Sequence, residues 1–160
     1  MRIDPELLAE IVAHAQENPR IECCGVVAAR PAEGSGGGQA AGGTAGERAD
    51  GAGTVATHVY RAENVHASAL KFEIGPMELY RLSEEIEERG WEIGAIYHSH
   101  VRSAPYPSQT DIGFAAGWPG LEWIIVGLAG EGGPEVRSYL IEGAAVREVP
   151  IVPAPQGAAG

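Results

Sequence analysis

The chain has 160 residues, a length that fits one domain, and its 22 acidic and 11 basic residues give a net charge of −11. A hydrophobic fraction of 44% supports a packed core and excludes wholesale disorder. No apolar stretch approaches the roughly 20 residues that a membrane span needs, so no membrane contact is expected. Nucleic acid is excluded as an expected partner, because phosphates are bound by clustered Lys and Arg.

The compartment is predicted from the start of the chain and from its cysteines. Residues 1–20 contain no apolar segment behind a basic start, so no secretory signal is expected and the predicted location is the cytoplasm. Cys23 and Cys24 are adjacent, and neighbours rarely form a disulfide without strain. We interpret them as small buried side chains in a reducing compartment, with redox sensing or metal contact as the alternatives.

The first half of the chain predicts one helix and two strands. Asp4 can cap a helix that has Pro5 at its first position and ends at Asn18-Pro19. A short strand through residues 24–27 follows. Glycine then supplies nine of the 20 residues in the segment 34–53, which predicts a flexible excursion between strands. The second strand is expected over residues 55–62.

The second half predicts two more helices among further strands. A helix begins at Pro76 and is stopped by Gly90, and a third helix begins at Ser108. Residues 153–160 are expected to form a disordered tail. The strands are expected at Ile93–Tyr97, running into His98, at Leu121–Leu128, and in a closing hairpin of Val136–Ile141 and Ala145–Val152.

This order of elements predicts the fold class. Helices and strands mix without regular βαβ alternation, which is typical of an α+β domain with a three-layer αβα-like arrangement around a mixed sheet. We expect a single domain over residues 1–152, with the Gly-rich segment 34–53 inside it.

A chemical constellation lies after the strand that ends near His98. His98 and His100 are two residues apart, so in a strand both imidazoles lie on one face. Asp111 falls in the first turn of the third helix, and Ser108 with Asp111 resembles a capping box with a shortened acid. Two imidazoles and a carboxylate suit a catalytic Zn²⁺ site that leaves a fourth position open. On spacing alone, a coincidental exposed face is an equal alternative.

The pattern His-x-His-x7-Ser-x2-Asp, from His98 to Asp111, resembles the signature of the JAMM (MPN+) metalloproteases, as does the upstream segment Glu22-Cys23-Cys24-Gly25. The resemblance covers the chain from the first helix to about residue 152 and implies a single MPN/JAMM domain with a mainly antiparallel sheet. It implies that His98, His100 and Asp111 bind zinc. It also implies that Glu22 carries the proton from the water to the leaving amine, and that Ser108 donates a hydrogen bond to the oxyanion. Ser108 can cap its helix at the same time.

Further residues resemble the small bacterial Mec-type members of that family. They are Ile96 to His100, Ala104 to Ser108, Thr110-Asp111 and Val136 to Tyr139. The resemblance implies a peptidase that releases cysteine from a ubiquitin-like sulfur-carrier protein ending in Gly-Gly, a reaction of cysteine biosynthesis. The alternatives are a broader isopeptidase or deubiquitinase-like enzyme and a non-catalytic MPN scaffold. The oligomeric state, including a homodimer, stays open.

Overall fold

A computed structural model of the chain describes residues 1–32 and 53–154. All but the last residue of the Gly-rich segment 34–53, and residues 155–160 of the expected tail, lie outside the described residues. None of the helices in the described ranges is both long and apolar enough to cross a membrane. The elements, in chain order, are β1 (Arg2–Ile3), α1 (Pro5–Glu17), β2 (Cys24–Pro31), β3 (Thr54–Ala62), α2 (Pro76–Glu88), β4 (Glu92–His100), α3 (Gln109–Ala115), β5 (Glu122–Gly127), β6 (Glu135–Glu142), β7 (Ala145–Val149) and β8 (Val152–Pro153).

All three predicted helix starts are confirmed, and each has a local cause. The Asp4 carboxylate accepts a hydrogen bond of 2.8 Å from the Glu6 N–H at the start of α1. Pro76 occupies the first turn of α2, and Gly90 follows that helix with a φ of +72°, a conformation that glycine adopts at little cost. Ser108 caps α3.

The strands form one mixed sheet in the order β7-β6-β5-β4-β2-β3-β1-β8. The longest ladder, β2 with β3, is antiparallel, and so is the ladder of β2 with β4. β4 and β5 are parallel, because α3 lies between them along the chain and returns it to the same end of the sheet. The site-bearing strand β4 therefore lies in the interior of the sheet, with a neighbour on each side.

Helices cover both faces of this sheet and make three layers. α1 packs on one face, where Ile11 and Ala15 join a cluster that includes Tyr97. α2 and α3 cover the other face, where Ile86 and Ala115 join a separate cluster. The alternation of side chains along β4 supplies both clusters. The predicted α+β fold with an αβα-like arrangement is confirmed.

The structure differs from the prediction at one edge of the sheet. The last strand was expected to run through Val152, but it breaks after Val149, because Pro150 has no N–H for the ladder. The chain then forms β8, which pairs with β1, a strand that the sequence analysis does not predict. Pro153 belongs to β8 and Ala154 is buried, with its N–H bonded to the Ile3 carbonyl at 2.9 Å. The sheet therefore includes the first residues of the expected tail.

Candidate metal centre

The end of β4 brings two imidazoles to one face of the sheet. His98 and His100 point to the side covered by α2 and α3, and Ser99 between them points to the opposite side, as the two-residue period of a strand requires. His98 is fully buried and His100 is 4% exposed. The predicted convergence of these histidines is confirmed by a distance of 3.1 Å between their Nε2 atoms.

The capping box of α3 places Asp111 against the histidines. The Asp111 N–H donates to Ser108 Oγ at 3.1 Å, and the Ser108 N–H donates to Asp111 Oδ2 at 2.7 Å. The loop before the helix is held in place as well, because the Tyr139 hydroxyl donates to the Pro105 carbonyl at 2.5 Å. Pro105 also packs on Gly127, where a Cβ would approach it to 2.6 Å. The capping box predicted from Ser108 and Asp111 is therefore present, and it fixes the carboxylate.

The three side chains form a triangle of nitrogen and oxygen atoms. Asp111 Oδ2 lies 3.3 Å from His98 Nε2 and 3.2 Å from His100 Nε2. Bonds of about 2.0–2.1 Å from zinc to its ligands separate adjacent ligands of a tetrahedron by about 3.4 Å. The observed edges of 3.1 to 3.3 Å match that spacing. The group therefore fits a metal ion bound by three protein atoms.

The ionised Asp111 carboxyl attracts positive charge to the triangle. Burial opposes ionisation of Asp111, but hydrogen bonds to His100 and His98 outweigh it and hold the pKa of this carboxyl well below its usual range. Burial lowers the pKa of His98, which favours the neutral imidazole that metals bind. Burial also acts to lower the pKa of His100, yet its hydrogen bond to Asp111 raises the pKa overall.

Two different contacts orient the two imidazoles. His100 Nδ1 lies 2.9 Å from the Ala104 carbonyl, which can only accept, so Nδ1 carries the proton and Nε2 is left free to bind a metal. His98 Nδ1 has no hydrogen-bond partner among residues 1–32 and 53–154. Its ring instead lies on Phe72, with centroids 4.3 Å apart and an angle of 22° between the planes. The sequence analysis missed Phe72, because nothing in the spacing relates it to His98.

Glu22 reaches the same site from the segment before β2. Cys24 pairs with His98 in the ladder between β2 and β4, so Glu22, two residues earlier, is level with His100. Glu22 is 5% exposed. Burial raises the pKa of its carboxyl to about 7, with the His100 charge lowering it and the Asp111 charge raising it. The structure thus brings together all five residues singled out by the sequence.

The backbone around Glu22 is fixed by residues that the sequence analysis did not identify. The Glu22 N–H donates to the Ser68 carbonyl at 2.8 Å, and Asn64 Nδ2 donates to the Glu22 carbonyl at 3.0 Å. The Cys23 N–H donates to Ser99 Oγ at 2.9 Å. An Asn after a strand is an ordinary turn signal, so the sequence offers nothing that marks Asn64 as part of the site.

The cysteines next to Glu22 face opposite sides of the sheet. Cys24 is fully buried in the cluster under α2 and α3, and Cys23 is partly buried against the cluster under α1. Both thiols are free. Burial raises the pKa of Cys24 to about 12, so this thiol stays protonated at neutral pH. The predicted packing role is confirmed for Cys24.

Comparison with known proteins adds a family. The model Prok-JAB, described as prokaryotic homologs of the JAB domain, matches residues 4–142. A desampylase of Pyrococcus furiosus is 38% identical over 64 residues, which cover 40% of this chain and 45% of that protein. A desampylase of Haloferax volcanii is 31% identical over 120 residues, covering 72% of this chain and 71% of that protein. A CysO-cysteine peptidase of Mycobacterium tuberculosis is 28% identical over 149 residues, covering 93% of this chain and 88% of that protein.

Solved structures have the same fold at lower identity. A protein from Desulfitobacterium hafniense aligns over 97% of this chain and 93% of its own with a TM-score of 0.72 and 24% identity. A JAB1/MPN domain protein from Archaeoglobus fulgidus aligns over 97% of this chain and 100% of its own with a TM-score of 0.54 and 18% identity. At such identities the likeness establishes the fold alone.

Proposed function

Because the chain belongs to the Prok-JAB family, we propose that it is a zinc-dependent peptidase that acts on a ubiquitin-like sulfur-carrier protein. The bond cleaved is the amide after the carrier's C-terminal Gly-Gly, and the product is free cysteine. The observation that carries this proposal is the buried triangle of His98, His100 and Asp111 with the Glu22 carboxyl beside it. The name of the Mycobacterium tuberculosis relative supports the choice of substrate.

Three atoms of this chain would hold the metal: Nε2 of His98, Nε2 of His100 and Oδ2 of Asp111. Zinc bound there supplies Lewis acidity, which polarises the scissile carbonyl and lowers the pKa of water in the open fourth position. The hydrogen bond between His100 Nδ1 and the Ala104 carbonyl leaves the Nε2 lone pair free, so Nε2 would bind the metal. The Ser108 N–H fixes the orientation of the Asp111 carboxylate by donating a hydrogen bond to its Oδ2.

Glu22 would carry the proton. A carboxyl whose pKa lies near 7 can accept a proton from the attacking water and release it again near neutral pH. Hydrolysis needs both steps, because the C–N bond breaks only when the leaving amine of cysteine is protonated. Water thus adds across the amide, giving a glycine carboxylate and free cysteine.

Ser108 would stabilise the oxyanion. Its Oγ accepts the hydrogen bond from the Asp111 N–H, which occupies an oxygen lone pair and leaves the hydroxyl proton available to donate. A donor fixed by a capping box is already oriented before the negative charge develops. The side chain of Ser108 therefore serves as both helix cap and donor.

The direct test is to incubate the zinc-loaded protein with a carrier that ends in Gly-Gly-Cys and to measure free cysteine by mass spectrometry. We expect a stoichiometric release of cysteine that a chelator abolishes. Glu22→Gln is the matched control, since it keeps the size of the side chain and the metal ligands while removing the proton acceptor. An active Glu22→Gln variant would exclude Glu22 as the base, and an uncleaved adduct would exclude the substrate.

A broader isopeptidase is the second candidate, and the two desampylase relatives favour it. The same incubation with a ubiquitin-like protein joined to a lysine side chain separates the two, because cleavage of this conjugate alone would assign the chain to isopeptidases. A non-catalytic scaffold fits less well, since the three metal-binding side chains and Glu22 are all in place. The Gly-Gly tail of the substrate and the cytoplasmic location stay predictions, and the oligomeric state stays open.

A further inference from the structure

The side-chain amide of Asn64 uses its full hydrogen-bonding capacity on the main chain around the site. Its Nδ2 donates to the carbonyls of Glu22 and Lys71, each at 3.0 Å. Its Oδ1 accepts from the N–H groups of His66 at 3.1 Å and Glu73 at 3.2 Å. Asn64 is 7% exposed, so water does not compete for these bonds. One side chain therefore joins the distant segment of Glu22 to the loop that follows Asn64, including residues 71–73.

The first of these segments carries Glu22. In the ladder between β2 and β3, Cys24 pairs with Ala62, so the register places Glu22 opposite Asn64, just beyond the last paired residues. The Asn64 side-chain amide supplies the hydrogen bond that the next backbone N–H of a longer ladder would supply. It donates to the Glu22 carbonyl, which lies beyond the last paired residues of β2 and β3. With the bond from the Glu22 N–H to the Ser68 carbonyl, both main-chain groups of Glu22 are held.

The second segment carries Phe72. Asn64 bonds the carbonyl of the residue before Phe72 and the N–H of the residue after it. Phe72 is 4% exposed and its ring lies on the imidazole of His98. Since His98 Nδ1 has no hydrogen-bond partner in the described part of the chain, the ring is held by this stacking contact on its face and by the contacts of its Nε2 with His100 and Asp111. A shift of residues 71–73 would therefore move the surface that orients His98.

We propose that Asn64 is a positioning residue that sets the Glu22 carboxyl and, through Phe72, the His98 imidazole in one geometry. The inference rests on the proposed function, because it concerns the same site. Contacts of this kind around a metal centre commonly change metal affinity or activity by about 10- to 100-fold when they are removed. The four hydrogen bonds of the Asn64 amide all go to main-chain groups and not to the triangle of ligand atoms, so its effect is exerted through these two neighbours.

The test is Asn64→Asp, which keeps the size of the side chain and both bonds accepted by Oδ1. It removes the two donated bonds and turns an oxygen toward the carbonyls of Glu22 and Lys71. In the metal-free protein we expect hydrogen exchange at the Glu22 amide to be faster by about tenfold or more, with the amides of β5 unchanged. With zinc we expect one ion per chain, a kcat lower by about 10- to 100-fold and a KM within about twofold.

His66→Gln is the matched control. It removes the exposed pair between His66 and Glu73, 2.7 Å apart, from the same loop and leaves the Asn64 bonds in place. We expect wild-type exchange at Glu22 and wild-type kcat. Asn64→Ser is measured in parallel. The smaller side chain leaves room for water to bridge the same main-chain groups, so this variant should fold even if Asn64→Asp does not.

Unchanged exchange at Glu22 in a folded Asn64 variant would overturn the inference, and so would a raised KM with an unchanged kcat. Equally faster hydrogen exchange at all amides would show that Asn64 is a general structural residue, and this result would also overturn the inference. The exchange measurement needs no substrate. If wild-type protein cleaves neither conjugate, the proposed function fails, and the exchange data still decide whether Asn64 positions Glu22.

Discussion

Replacing Glu22 with glutamine should stabilise the metal-free protein while it abolishes turnover. Burial raises the pKa of the Glu22 carboxyl from 4.5 to about 7, which means that the folded protein holds this proton more tightly than the unfolded chain. Above that pH the folded state must keep a buried carboxylate that the unfolded chain solvates freely. Glutamine has the same shape and never ionises, so the variant avoids this cost.

The sign and size of the effect follow from linkage. A raised carboxyl pKa stabilises the fold fully below pH 4.5, and that stabilisation is lost as the pH rises through about 7. At about 1.4 kcal/mol per pKa unit, the difference between the two values corresponds to up to roughly 3 kcal/mol. For a chain of this length that free energy shifts the melting temperature by roughly 6–12 °C.

Urea unfolding of the wild-type protein and of Glu22→Gln, in chelator and at several pH values from 4.5 to 8, measures this difference in unfolding free energy directly. The two proteins contain the same histidines, so the titration of those residues cancels in the difference except for that of His100, whose pKa the Glu22 charge raises. We expect the difference in unfolding free energy to grow by up to about 3 kcal/mol in favour of Glu22→Gln and then to level off above pH 7. A difference that is constant with pH, or that favours wild-type protein at high pH, would refute the reasoning.

Three other substitutions probe the metal centre, a helix cap and the packing of the sheet. His100→Ala should reduce zinc from one ion per chain to below about a tenth in metal analysis after dialysis, whereas the exposed His58→Ala should retain it. Asp4→Ala removes the cap of α1 and should cost about 1 kcal/mol in calorimetry, and an unchanged melting temperature would contradict the cap. Gly25→Ala places a Cβ 2.4 Å from the Tyr97 ring and should prevent folding, so a circular dichroism melt like that of wild-type protein would refute this packing.

Much of the fold could be predicted because its signals are local. Asp4 and Pro5 mark the start of α1, Pro76 marks α2, and Ser108 marks α3, since caps and first-turn prolines act on their own helix. The alternation of His98 and His100 also predicts their shared face, because the period of a strand decides it without reference to other elements. These signals placed four of the five site residues on the correct elements.

The edge of the sheet could not be predicted for the opposite reason. β1 and β8 have two residues each, too few for any periodicity to appear. They exist because Arg2 pairs with Val152 and with Val55, and such pairing depends on the finished sheet. The sequence analysis missed Phe72 and Asn64 for the same reason, since their role comes from contacts across the fold. The Phe72 ring lies on His98, and the Asn64 side chain bonds main-chain groups, which no sequence pattern marks.

The environment of the two carboxyls at the site separates their chemistry, and the sequence alone shows only that both are acidic. Asp111 overcomes its burial through hydrogen bonds to two histidines and is ionised, as a metal ligand must be. Within residues 1–32 and 53–154 no hydrogen-bond donor faces the Glu22 carboxyl, and burial raises its pKa to about 7, as the proposed proton carrier requires. The capping box of α3 contributes to the lowered pKa of Asp111, because it directs Asp111 Oδ2 at the imidazoles. The hydrogen bond from Asn64 to the Glu22 carbonyl contributes to the raised pKa of Glu22, because it holds Glu22 beside the triangle in a buried position. Under the proposed function, exchanging the two carboxyls would put a partly protonated acid at the metal and a permanently ionised one at the water, so both proposed roles would be lost.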